Sequence, residues 1–186
     1  MKTRYRLLGI ALLALGAPVL PAAANLINFK ATLNGAGENP PNGSPGTGVL
    51  FATLDDVLNT LTVHEVFSGL TAPASAAHIH CCQPPGANAP VVLPFGAGIG
   101  FPVGATAGTF DHTFTLATDL TGISVSAFLT GLFAGTAYGN IHNANFPVGE
   151  IRGQLIAVPE PATTLLLGLG FGALALTRRI GARRTS

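Results

Sequence analysis

The sequence predicts an all-β domain, a Greek-key sandwich or barrel of about seven short strands with one short helix. Two observations carry that expectation. Apolar and polar residues alternate with a period of two in several short runs, and Gly and Pro punctuate the chain between them. A third observation bounds the domain, because an apolar segment lies near each end of the 186-residue chain. The segments divide the chain into residues 1–24, a middle of 25–157 and a tail of 158–186. That middle, roughly 130 residues, is long enough for one ordinary core.

Residues 1–24 have the three parts of a signal peptide. Lys2, Arg4 and Arg6 form a positive start, and Leu7 to Leu20 form the apolar run. Ala22 and Ala24 then supply the small residues of a cleavage site, with cleavage expected after Ala24. The mature protein is expected outside the cytoplasm, where thiols tend to oxidise.

In the middle, Ile27, Phe29, Ala31 and Leu33 alternate with Asn28, Lys30, Thr32 and Asn34, which reads as a first strand. A Gly-, Asn- and Pro-rich loop from Asn34 to Gly48 leads to a second strand, Val49 to Leu54. Asp55-Asp56 reads as a turn, and Val57 to Phe67 as a third strand with Val57, Leu61, Val63 and Phe67 on one face. Ala76 to Cys81 is a short strand. The irregular stretch from Gln83 to Gly108 is expected as a long surface loop with a short strand near Val91 and Val92. Phe110, Phe114 and Leu116 share one face of a further strand, and Tyr138 to His142 and Glu150 to Ala157 complete the set. Val125, Phe128, Leu129 and Leu132 break the pattern at helical spacing, with Gly135 placed to end that helix. Ile27, Phe29, Leu33, Val63, Phe114, Ile151 and Leu155 are the expected core.

Charge narrows the function classes. Between Asn25 and Ala157 only Lys30 and Arg152 are basic, against the carboxylates Glu38, Asp55, Asp56, Glu65, Asp111, Asp119 and Glu150. A nucleic-acid partner is therefore not expected, since nothing in the domain could neutralise a row of phosphates.

The tail reads Val158-Pro159-Glu160-Pro161-Ala162, then an apolar run from Thr163 to Leu176, then Arg178, Arg179, Arg183 and Arg184. A transmembrane helix of about 163–177 followed by a basic cytoplasmic end places the domain on the outer side of the inner membrane. This order resembles the PEP-CTERM sorting signal, with Pro159, Glu160 and Pro161 as the sorting motif. The resemblance implies recognition by an exosortase, removal of the tail, and delivery to the cell surface or an extracellular polysaccharide matrix.

The residues richest in chemistry are Ala76-Ala77-His78-Ile79-His80-Cys81-Cys82. On an extended strand His78 and His80 point to one face, so two imidazoles can grip one ion without distorting the backbone. His142 is the third candidate, sharing a strand face with Tyr138 and Asn140. Copper or zinc suits such donors, with Cys81 and Cys82 as possible extra ligands. The two cysteines could also form a disulfide with each other or stay as thiols. Histidines hydrogen-bonded in a structural role are the plain alternative. His64 and Glu65 fall on opposite strand faces, which argues against a dyad, and Glu150 with Arg152 reads as an ion pair. No Gly-x-Ser-x-Gly elbow and no phosphate-binding Gly loop occurs, so an enzyme is not expected.

At larger scale the middle resembles the CHRD (chordin-type) domain. The likeness rests on Ala31 to Gly35, Glu38-Asn39-Pro40-Pro41, Phe67 to Leu70, Ala77 to His80, Asn140-Ile141-His142 and Gly149 to Leu155. It implies an extracellular all-β domain, often attached to bacterial surface proteins, without established enzymatic activity; an extracellular polysaccharide or a surface protein is the expected partner of such an exported domain. Gly69-Leu70 and His78-Ile79-His80 are also similar to the copper/zinc superoxide dismutases, which are Greek-key barrels. That likeness would make His142 a copper ligand and Arg152 an anion guide, but the His-rich zinc loop and the bridging histidine are missing.

Overall fold

The computed structural model describes residues 25–159. The signal-peptide positions Ala22 and Ala24, Glu160 and Pro161 of the sorting motif, the 163–177 span and the four tail arginines lie outside them.

Among the described residues, nine strands form one antiparallel sheet. They are β1 (Leu26–Asn34), β2 (Thr47–Asp55), β3 (Thr60–Ser68), β4 (Ala74–His80), β5 (Val91–Phe95), β6 (Gly108–Thr115), β7 (Tyr138–Asn143), β8 (Ile151–Gln154) and β9 (Ile156–Ala157). Two helices, α1 (Leu116–Asp119) and α2 (Val125–Phe133), join β6 to β7. The strand order is β5-β4-β7-β8-β1-β2-β3-β6, with the two-residue β9 added beside β1. β1 and β2 pair along their whole length, from Leu26↔Asp55 to Asn34↔Thr47, and β8 joins β1 at Asn34↔Arg152.

The sheet curls into an open half-barrel. Its edge strands β5 and β6 share no ladder, yet Phe95 of β5 lies 4.8 Å from Phe110 and 5.5 Å from Phe114 of β6, ring centre to ring centre. The edges thus meet through side chains, which hides apolar edges that would otherwise invite pairing with other chains. The β3–β6 pairing encloses the β4–β5 hairpin, which is a Greek-key path. Alternation explains the core. Phe29, Ala31 and Leu33 of β1, Leu61, Val63 and Phe67 of β3, Ile79 of β4 and Ile141 of β7 all turn inward and are buried. Of the expected core, Ile27 alone is only partly buried.

Three sequence expectations need correction. The third strand starts at Thr60, not Val57, because Asp55 Oδ1 accepts the amides of Val57 and Leu58 at 3.0 and 2.8 Å. That side-chain turn leaves Val57 and Leu58 exposed. Leu116 opens a short helix rather than ending a strand, with Asp119 Oδ2 accepting from the Thr115 amide at 2.7 Å. The last expected strand is two, β8 and β9. The expected helix is α2: Ser124 Oγ accepts from Ala127 N at 3.2 Å at its start, Gly135 takes φ +68° beyond its end, and Phe128 and Leu132 fill the core.

Candidate functional site

β4, β7 and β8 lie side by side, so one face of three adjacent strands can collect side chains from each. The register is His78↔Asn140 and His80↔Tyr138 between β4 and β7, and Asn140↔Arg152 between β7 and β8. Ala76 stands opposite His142. Because Ala77, Ile79 and Ile141 are committed to the core, period-two alternation sends His78, His80, Tyr138, Asn140, His142 and Arg152 to the other face.

On that face one ring nitrogen from each of His78, His80 and His142 comes within 4.8 Å of the other two. His78 Nδ1 is 3.2 Å from His142 Nε2. Two backbone carbonyls set the tautomers. His80 Nδ1 donates to Ala89 O at 2.7 Å and His142 Nδ1 donates to Pro147 O at 3.1 Å, which leaves the Nε2 lone pair of each ring free. The buried His80 Nε2 has no hydrogen-bond partner, whereas His142 Nε2 also faces Asn140 Oδ1 at 3.0 Å.

Burial keeps these rings neutral. It pushes His78 down to about 4, helped by repulsion from His142 and His80, and it lowers His80 and His142 as well. Neutral imidazole is the form that ligates a metal.

Two loops wall the site. The segment between β4 and β5 brings Ala89, whose N–H donates to Tyr138 Oη at 3.1 Å, and Asn88, whose side chain donates to Asn39 O at 3.1 Å. His80 stacks on the Tyr138 ring at 4.8 Å and 4°, and the Arg152 guanidinium sits 3.4 Å over the same ring. From the loop after β1 comes Glu38, buried, with its carboxyl pushed up to about 7 by burial against the opposing pull of Arg152. Gly149, at φ +137°, makes room for it: a Cβ there would stand 2.3 Å from Glu38 Oε1.

The structure brings the three expected histidines together and keeps the cysteines apart from them. Cys81 and Cys82 form a disulfide with each other. Cys81 lies in the core and Cys82 against it, with both sulfurs on α2, where a Cβ on Gly131 would approach them to 2.4 and 2.2 Å. In this state neither sulfur is a ligand beside the histidines.

The expected Glu150–Arg152 ion pair is replaced by two separate arrangements. Glu150 is buried and accepts from Ser44 Oγ at 2.6 Å, from the Thr71 amide at 2.7 Å and from Asn143 Nδ2, tying three segments together. Arg152, 2% exposed, donates to Asn88 Oδ1 at 3.0 Å and to Ala87 O at 2.8 Å, so it is committed to holding the loop rather than to guiding anions.

His64 pairs at the surface with Asp111 at 2.6 Å, and His112 lies against Phe110 and Phe114. Sequence reasoning gave Glu38 and Asn140 no role at the site. Alternation with His142 was the available signal for Asn140; for Glu38 there was none beyond its place in the opening motif.

The CHRD domain family model matches residues 29–155, and the PEP-CTERM protein-sorting motif matches residues 157–184. No curated protein and no solved structure matches the chain. The sorting motif marks the protein for export through a membrane-anchored precursor that exosortase processes and that is sorted to the cell surface. With the match spanning nearly all of the half-barrel, the chain belongs to the CHRD-domain family and carries a C-terminal PEP-CTERM protein-sorting motif.

Proposed function

We propose that the exported domain is a non-enzymatic binding module of the surface or extracellular matrix, and that it holds a zinc or copper ion on His78, His80 and His142. One observation carries this reading. Three neutral imidazoles from two neighbouring strands present nitrogens within 4.8 Å of one another, two with tautomers set by backbone carbonyls. Structural histidines satisfied by hydrogen bonds would not leave the buried Nε2 of His80 without a partner. Nitrogen donors of this kind suit zinc and copper, whereas calcium and magnesium call for oxygen.

The sorting motif supports delivery to the surface, and the reading extends this to the matrix, with polysaccharide or another surface protein as the proposed partner. Calorimetric titration of the exported protein with zinc and with cuprous ion tests the metal reading. Saturable one-to-one binding is expected, weakened about tenfold or more in His80→Ala and His142→Ala. Equal binding by wild type and variants would return these histidines to a structural role.

A further inference from the structure

Asn140 sits where a fourth ligand would. Its side chain is buried and its Oδ1 lies 3.0 Å from His142 Nε2. That oxygen, which carries no proton of its own, sits beside the point where the His78 and His142 nitrogens meet.

His78 Nδ1, His142 Nε2 and Asn140 Oδ1 therefore sit close together, and a His80 nitrogen lies within 4.8 Å of a nitrogen on each of the other two rings. With the Nδ1 protons of His80 and His142 spent on Ala89 O and Pro147 O, at most one proton, on His78, is left among them. Such a cluster is the electrostatic complement of a cation. Its spacing also matches one. Metal–ligand bonds of about 2.0–2.1 Å in a tetrahedron put neighbouring ligands roughly 3.3 Å apart. Two edges here, His78 Nδ1 to His142 Nε2 and His142 Nε2 to Asn140 Oδ1, measure 3.2 and 3.0 Å.

We propose that Asn140 is a direct ligand, closing a four-coordinate site of three imidazole nitrogens and one amide oxygen that is built for zinc. This deepens the metal-binding reading and rests on it. Zinc accepts a hard oxygen ligand beside imidazole nitrogens, whereas an oxygen adds little for cuprous ion, which prefers softer donors. Four protein ligands also leave no open position for a reacting water, as in structural rather than catalytic zinc sites.

The test loads the exported protein with zinc, cuprous ion and, as a spectroscopic probe, cobalt(II). Asn140→Ala should weaken zinc about tenfold or more while changing cuprous affinity less than about threefold. Asn140→Asp, which restores an oxygen, should recover zinc binding, and circular dichroism of both variants reports whether the fold survives. The visible spectrum of the cobalt form should ignore added thiocyanate in wild type and respond to it in Asn140→Ala, where the fourth position opens. Metal binding by wild type with a thiocyanate-sensitive spectrum, or with Asn140→Ala unchanged, overturns the ligand assignment while leaving the three-histidine site standing. Failure of wild type to bind any of the three ions overturns both.

Discussion

Glu65 lies at the centre of β3, facing the core between Leu50 of β2 and Phe110 of β6, with no exposed surface and no hydrogen-bond partner on either oxygen. Burial alone pushes its carboxyl up from 4.5 to about 8. The folded protein therefore carries Glu65 neutral at pH 7, while the unfolded chain ionises it above about 4.5. A raised carboxyl favours unfolding as pH rises: stability is complete below about 4.5 and is lost progressively toward about 8. At 1.36 kcal/mol per unit, the loss at pH 7 is on the order of 3 kcal/mol.

Glu65→Gln keeps the shape of the side chain and removes the titration. Urea unfolding of the exported protein without metal, at a series of pH values between 4 and 8, reads the difference. The two proteins should unfold at similar urea concentrations near pH 4, and the variant should gain steadily above that, by about 3 kcal/mol at pH 7. Other groups, the raised carboxyl of Glu38 among them, titrate alike in both proteins and cancel. Parallel stability curves from pH 4 to 8 would refute the argument, since Glu65 would then be ionised and paired or reached by water.

Three further outcomes are expected. Glu150→Ala removes a buried acceptor shared by Ser44, Thr71 and Asn143 and leaves the buried Asn143 amide and two part-buried donors short of a partner, so urea unfolding should show a loss of about 3 kcal/mol, with Glu150→Gln costing less. Gly131→Ala drives a methyl into both disulfide sulfurs, so the thermal midpoint should fall, by about 1–3 kcal/mol of stability, and an unchanged midpoint would show that α2 can slide away. Replacing Pro159-Glu160-Pro161 with alanines should leave the domain in the inner membrane of an exosortase-bearing host, and fractionation that finds this variant released normally would count against that motif.

Local pattern made much of this molecule legible. The alternation of β1 and the helical spacing of α2 each reflect one buried face, and a buried face leaves its period in the sequence. The same alternation put His78 and His80 together, and the register of β4 with β7 then supplies His142, which lies 64 residues from His78. What was hidden depends on contacts between distant segments. Val57 looks like a strand residue until Asp55 is seen to fold its side chain over the following amides. Glu150 and Arg152 look like a pair because they stand two apart, yet each is taken by a loop that no spacing rule connects to it: Ser44 and Thr71 for one, Ala87 and Asn88 for the other. Glu65 shares its strand face with Leu61, Val63 and Phe67, but the spacing does not show that the middle of that face is closed to water, which leaves the carboxyl with no exposed surface.

The central claim is that the polar face of β4 and β7 is a metal site. Elemental analysis of the protein recovered from its host without chelators, set beside His80→Ala and His142→Ala prepared the same way, tests it most directly. About one zinc or copper per chain in wild type, and little in either variant, is the predicted result. Wild-type protein that carries no metal and takes up none on titration would contradict it.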